Sequence, residues 1–272
     1  MKPVTQSAAS RADEPPPCFA GLPDVDLVER TYRVRLARDE RDLERALRLR
    51  YSVFNVELGE GLESSHATGL DTDAFDRQCH HLLLIDETDG AVVGTYRLQT
   101  GLMARAGAGF YCQQEYRLDL LPPELVENSV ELGRACIDGS HRMGHALFAL
   151  WRGLAAYLTA VGKRYLFGCC SLTSQNPADG HAAQAWLRAH GKLHPDHHLP
   201  VQPGFECVGV EPRADELQGF HLPQLFGTYL RYGALACSQP ALDRDFGTID
   251  FLVLFDLEKL DPRLRRLFFE PA

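Results

Sequence analysis

The sequence predicts an α+β protein built on one mixed, mostly antiparallel sheet flanked by helices. Three observations carry this reading. Runs with strand-like alternation and runs with helical spacing succeed one another as strand, helix, antiparallel strands, helix, strand, helix, strand. An Asp89-Gly90 pair separates two strand-like runs, which is a strong hairpin signal. Ile249–Phe255 is almost wholly apolar, as a strand deep in a sheet should be.

The elements follow in order. Residues 1–28, with Pro15-Pro16-Pro17, read as a mobile extension unable to bury enough surface to order itself, and 29–272 as the folded domain. Tyr32–Leu36 alternates apolar and charged residues, which suits a half-buried strand. Asp39 is placed to cap a helix whose buried face carries Leu43, Ala46, Leu47, Leu49, Val53 and Phe54. Gly59, Gly61 and Gly69 break the next stretch into loop. His81–Ile85 and Ala91–Leu98 are the arms of the hairpin. Residues 101–128, with Pro122-Pro123, form a connection with room for a short helix. Ser129–Ile137 is a strand, Ala146–Val161 an amphipathic helix and Arg164–Cys169 an apolar strand after the break at Gly162. Ala182–His190 is a helix ended by Gly191. Pro195, Pro200, Pro203 and Pro212 mark an irregular region, and Leu222–Cys237 reads as helix. Leu257–Phe269 mixes Leu and Phe with Lys and Arg; it suits a terminal helix packed on the body or, alternatively, one resting on a membrane surface.

Composition narrows the function. The 272 residues carry 28 Lys+Arg against 37 Asp+Glu, a net charge of −9, which argues against a general nucleic-acid binder. With 45% hydrophobic and 24% charged residues the chain is neither disordered nor collagenous. Eight cysteines lie mostly within apolar runs such as Leu166–Cys170, and the polar, Pro-rich opening residues are not expected to act as a signal peptide. Reduced, buried thiols in a cytoplasmic protein are therefore expected. No Cys/His spacing matches a zinc site, so no metal is expected. No segment reaches about 18 unbroken apolar residues, so none is expected to span a bilayer.

Four segments carry chemistry: Arg50-Tyr51-Ser52-Val53-Phe54, Asp73-Ala74-Phe75-Asp76, Gly94-Thr95-Tyr96-Arg97-Leu98 and Glu131-Leu132-Gly133-Arg134. Each alone is weak, since a charged residue near a strand is usually solvated. Their joint order resembles the acyl-homoserine-lactone synthases and, more closely, the ornithine-lipid-type N-acyl amino acid synthases (L-ornithine N-alpha-acyltransferases), both in the GNAT superfamily. Further matching segments are Cys79-His80-His81-Leu82-Leu83, Ala135-Cys136, Leu150-Trp151, Tyr165–Cys169 and Asp250-Phe251. The resemblance spans roughly residues 31–256.

That resemblance implies a GNAT-like twisted sheet with a splayed central strand pair, Ser129–Ile137 and Arg164–Cys169. It implies transfer of a (3-hydroxy) fatty acyl group from acyl carrier protein to the α-amine of L-ornithine. The place of the usual pyrophosphate loop reads His141-Arg142-Met143-Gly144-His145-Ala146, a degraded match. Coenzyme A is accordingly the weaker donor, and no tightly bound cofactor is expected beyond the donor's 4′-phosphopantetheine arm. Other readings are lactone synthesis from S-adenosylmethionine, acylation of another amino acid such as glycine, and a module that binds acyl carrier protein or lipid without chemistry.

Amide formation from a thioester needs a neutral amine, so a carboxylate must take the ammonium's proton. Glu131 is the candidate base; its alternative is a structural pair with Arg134 or another cation. In a regular strand Glu131 and Arg134 would point apart, and Gly133 between them permits a bulge that brings them together. Arg50, Arg97 and Arg134 are candidates to hold the amino acid's carboxylate, with Phe54 beside them. Asp73 and Asp76 either pair with those arginines or meet a substrate cation. Arg142, Phe148 and Trp151 are assigned to the acyl donor, with Phe75 and Phe110 as further candidates for a fatty-chain wall. Cys136 offers a rival acyl-enzyme route, or is simply packed. Arg142, Arg152, Lys163 and Arg164 are candidate cations for docking the acidic carrier protein. Transient peripheral membrane contact is compatible with a lipidic product.

Overall fold

The structure is a computed structural model that describes residues 17–142, 145–209, 212 and 220–270. Among them, nine strands form one sheet: β1 (Asp26–Glu29), β2 (Tyr32–Leu36), β3 (His80–Asp86), β4 (Val92–Thr100), β5 (Ser129–Ile137), β6 (Tyr165–Leu172), β7 (Leu235–Ala236), β8 (Ala241–Asp243) and β9 (Thr248–Asp256). Their spatial order is 1-2-3-4-5-6-9-7, with β8 also on β9. The pairings are antiparallel except for the central one, β5 with β6, which is parallel. The helices are α1 (Glu40–Tyr51), α2 (Gly101–Ala106), α3 (Pro123–Glu127), α4 (Ala146–Val161), α5 (Pro177–Ala189), α6 (Gln224–Arg231) and α7 (Pro262–Phe269).

Alternation along the strands sorts the core onto two faces. Leu82 and Leu84 of β3 meet Leu150, Leu154 and Tyr157 of α4, whereas Leu83 and Ile85 meet Ala46 of α1. On β9, Ile249, Phe251 and Val253 pack under α5 and α6, while Leu252 and Leu254 pack against Phe110, Tyr116 and Leu118. Burying each such leucine contributes about 1.5–3 kcal/mol. Asp39 caps α1 by accepting from the Asp42 N–H, as its position predicts. The chain then continues in wider turns over Ser52–Leu58, which keep Val53 and Phe54 buried.

Several boundaries differ from the sequence reading. The fold begins before residue 29: β1 pairs with β2, and Cys18 and Val25 are buried. Residues 1–16 of the expected extension lie outside the described residues. Helix α5 starts at Pro177 rather than Ala182, because Asn176 caps a polar first turn that carries no apolar period. The helix read over Leu222–Cys237 ends at Arg231; Gly233, at φ +106°, turns the chain and Leu235–Ala236 joins the sheet. At the C-terminus α7 packs on α4, where Phe268 meets Phe148 and Trp151. No described helix is long and apolar enough to cross a membrane. The eight cysteines are free, six of them buried.

The feature that positions the site is where β5 and β6 part. They pair only at Ser129–Tyr165, Val130–Leu166 and Glu131–Phe167. Beyond that point Gly168 lies against the Leu132 carbonyl, where an added Cβ would come within 2.2 Å of the oxygen. A Gly168→Ala substitution should therefore cost about 1–3 kcal/mol, read as a lowered urea midpoint. An unchanged midpoint would show that the strands need not touch at this apex.

Candidate active site

Past Glu131 a cavity of about 470 Å³ opens between the diverging strands. Leu150, Trp151 and Leu154 of α4 and Phe226 and Tyr229 of α6 give it an apolar end. Glu131, Arg97 and Arg134 stand on its wall on the other side of the sheet. Trp151 is fixed by stacking on Tyr229 at 5.5 Å and by donating from Nε1 to the Tyr96 hydroxyl at 3.2 Å.

A bulge in β5 sets which side chains face this space. Opposite β4 the register moves from Arg97–Gly133 to Thr95–Cys136, so an extra β5 residue is accommodated. The left-handed residue is Arg134, at φ +49°, rather than Gly133, which keeps an ordinary φ and lies against the Arg97 side chain. Because of the bulge, Leu132, Ala135 and Ile137 share the α4 face, whereas Glu131, Arg134 and Cys136 share the opposite one. A regular strand would have separated Glu131 from Arg134. A positive φ is costly for an arginine, so the contacts of its side chain must hold it there.

Those contacts belong to a buried network of three arginines and three aspartates. Arg50 donates to Asp71 at 2.7 Å and to Asp76 at 2.6 Å. Arg97 donates to Asp73 at 2.6 Å and to Asp76 at 3.1 Å. Arg134 donates to Asp73 at 3.1 Å, and its Nε lies 3.4 Å from Asp71. The rings of Phe246 and Tyr111 cover the Arg134 guanidinium at 4.2 and 5.0 Å. Formal charges cancel. Burial alone would raise the Asp73 and Asp76 carboxyls, yet the facing arginines hold both below the usual aspartate value.

Glu131 is 5% exposed, and both its oxygens are engaged. Oε2 accepts from the Tyr111 N–H at 2.9 Å and Oε1 from the Cys112 N–H at 2.8 Å. The loop over Phe110–Gln114 thus aims two backbone donors at one carboxylate. Each oxygen retains a second lone pair, so the group can still take a proton. Burial pushes the carboxyl above its ordinary range, against these hydrogen bonds and the field of Arg97.

The cavity wall brings together Glu131, Arg134, Arg97, Phe54, Arg142 and Trp151 of the residues expected from sequence. Arg50, Asp73 and Asp76 stand behind it, spent on one another. Phe148, expected at the acyl chain, packs on Phe268 instead, 5.6 Å between centroids. Phe110 lies against Phe167, and Phe75 against Tyr111 and Arg97. Arg142 is bound to Glu57 and donates to the Ile137 carbonyl at 2.9 Å. Met143 and Gly144 of the expected phosphate loop lie outside the described residues. Cys136 is buried beside Phe54, and burial pushes its thiol up to about 12, so it is a poor nucleophile there. The expected docking cations have acceptors of their own: Arg152 the Glu270 carbonyl, Lys163 the Glu127 carbonyl, and Arg164 the Asp256 and Glu258 carboxylates.

Sequence reasoning missed Asp71, Tyr111, Cys112 and three buried acids near the parting, Glu60, Glu115 and Asp243, and it gave no site role to a fourth, Asp250, which it had noted only within a matching segment. Asp250 did carry a signal, an ionisable residue inside an apolar strand. The donors to Glu131 carried none, because backbone N–H groups are invisible in a side-chain alphabet.

A mixed sheet parted at one parallel pair, with a buried carboxylate and a largely apolar cavity at the parting, defines a GNAT-type acyltransferase fold. Residues 49–152 match the acetyltransferase (GNAT) domain family. The chain is 34% identical over 260 residues to the L-ornithine N(alpha)-acyltransferase of Rhodobacter capsulatus, covering 88% of this chain and 95% of that protein. It is 30% identical to the enzyme of the same name from Brucella abortus, covering 90% of this chain and 92% of that one. The structure of the CoA-dependent acyl-homoserine lactone synthase MesI shares the fold, with a TM-score of 0.50 at 15% identity over 88% of this chain and 96% of that one. The chain belongs to the L-ornithine N(alpha)-acyltransferase family.

An Asp76→Asn substitution leaves buried guanidinium groups under-compensated and should destabilise the fold by about 3–5 kcal/mol, measured by urea denaturation. The aspartates' contribution should be fully present above the unfolded-state value near 3.8 and be lost as pH falls below it, since their folded values are depressed. A variant of wild-type stability would show that the network does not hold the bulge.

Proposed function

We propose that the protein transfers a fatty acyl group from a thioester to the α-amine of L-ornithine, forming an N-acyl amino acid of the kind that starts ornithine-lipid synthesis. Family membership supports the acceptor. The observation that carries the chemistry is Glu131, a buried carboxylate at the mouth of the strand parting and on the wall of a cavity with an apolar end.

The amine attacks the thioester carbon, Glu131 takes its proton directly or through one water, and the thiolate departs. Because β5 has no β6 partner past Glu131, its backbone there is available to a ligand, including the thioester oxygen as negative charge grows on it. Arg134 and Arg97, the two network arginines on the cavity wall, are the donors within reach of the amino acid's carboxylate. The apolar end, with Trp151 and Tyr229, suits the alkyl chain. Direct attack is preferred to an acyl-enzyme, because Cys136 is held as a thiol.

The donor we infer is a 3-hydroxyacyl chain on the phosphopantetheine of acyl carrier protein, with no cofactor of the enzyme's own. The degraded match of the sequence His141–Ala146 to the usual pyrophosphate loop supports it over coenzyme A. Purified protein incubated with each donor and single amino acids, followed by mass spectrometry, tests both assignments. Acyl-ornithine from the carrier-protein donor is the expected product. Product from the coenzyme A donor alone would reassign the donor, and no N-acyl product from any amino acid would end the proposal.

Glu131→Gln should lower turnover by about a hundredfold or more, whereas Cys136→Ser should leave it within a few-fold. With Glu131 acting as a base, kcat/KM should rise with pH through a value above the ordinary 4.5 of a glutamate, because burial raises its carboxyl. Unchanged turnover in a folded Glu131→Gln variant would demote the residue to a structural role.

A further inference from the structure

Behind the reacting end of the cavity the chain buries acids that form no ion pair among the described residues. Glu115 and Asp250 are 1% and 3% exposed, and their carboxylate oxygens lie within 4.8 Å of each other and of the Cys169 Sγ. Asp243 is buried beside them, and Glu60 and Asp250 both line the cavity. Their side-chain partners are neutral: Thr248 donates to Asp250 at 3.4 Å, Cys169 to Glu115 at 3.6 Å, Tyr111 to Asp243 at 3.2 Å, and Thr173 to Glu60. Among the described residues no ion pair involves any of the four. Asp250 Oδ1 and Glu115 Oε1 have no hydrogen-bond partner at all. This contrasts with the neighbouring network, where every aspartate meets an arginine.

Building unpaired carboxylates into an interior is costly, and a cation supplied from outside the chain recovers that cost. The geometry says what kind of cation. Glu131 is held by the N–H groups of Tyr111 and Cys112, and Glu115 closes the same single 3₁₀ turn. One short segment therefore holds the base at its start and a member of the acid cluster at its end. An acceptor amino acid with a second amine on its side chain offers a cation for the cluster and an α-amine for Glu131.

We propose that Asp250 and Glu115, with Glu60 at the rim, bind the side-chain ammonium of the diamino acid while its α-amine faces Glu131, so that these acids determine acceptor specificity. The inference rests on the ornithine reading and adds the residues that choose ornithine over a neutral amino acid. It replaces Asp73 and Asp76 in that role, because both are consumed by arginines. Burial, with the mutual repulsion of the cluster, raises the Asp250 and Glu115 carboxyls above their ordinary range, as a site waiting for its counter-ion requires.

The test compares kcat/KM for L-ornithine and for L-norvaline, which has the same carbon chain without the ammonium, in the wild type, Asp250→Asn and Glu115→Gln, using one acyl donor. Wild type should strongly favour ornithine, and the ornithine-to-norvaline ratio should fall about a hundredfold or more in Asp250→Asn and by a similar factor in Glu115→Gln. Circular dichroism and urea unfolding verify that both variants fold. A preference retained in both folded variants would overturn the inference and leave the ornithine reading standing. A wild type that acylates norvaline or glycine but not ornithine would overturn the ornithine reading itself, and this inference with it. A stoichiometric metal ion in the purified wild type, lost in Asp250→Asn, would also overturn it, by identifying the counter-ion as a metal.

Discussion

The left-handed turn at Arg134 depends on a buried, charge-balanced lattice of guanidinium and carboxylate groups, and the rest of the site depends on that turn. Without the bulge, alternation along β5 would send Glu131 and Arg134 to opposite faces of the sheet. The lattice ties α1, the loop carrying Asp71–Asp76, β4 and β5 together, and the strained residue is anchored in it through Asp73 and Asp71. Its arginines therefore serve architecture first. Only Arg97 and Arg134 also present a surface to the cavity.

The cavity joins two electrostatic regimes across the parting of β5 and β6. One end is lined by α4 and α6 and is apolar, suited to hydrocarbon. The other is polar, with a balanced cationic side at Arg97 and Arg134 and an unbalanced acidic side at Asp250 and Glu60, with Glu115 buried behind Asp250. Glu131 stands between them, its carboxylate oriented by two backbone donors rather than by a cation. That choice matters chemically. A salt bridge would depress the carboxyl and weaken it as a base, whereas hydrogen bonds orient it while burial keeps its proton affinity high.

Local chemistry written in the sequence accounts for much of this. The Asp39 cap, the Asp89-Gly90 turn, the alternation of Tyr32–Leu36 and the apolar run around Phe251 are short-range signals, and each yields the element it implies. The motif residues Arg50, Arg97, Glu131 and Arg134 stand out as charges placed in otherwise apolar elements. Signals that depend on periodicity fail where periodicity lapses. The polar first turn of α5 was invisible for that reason, and so was the switch from α6 to β7.

Short-range chemistry along the chain specifies the main strands and helices, their buried faces and the charged groups that must be satisfied inside. Which charge meets which was decided only by the tertiary structure. Asp73 and Asp76 come next to arginines, Phe148 turns toward α7, and Asp250 and Glu115, 135 positions apart in the chain, converge with no cation between them. The physical reason is that pairing energy depends on separation in space and on local burial, and neither quantity is a function of neighbouring residues along the chain.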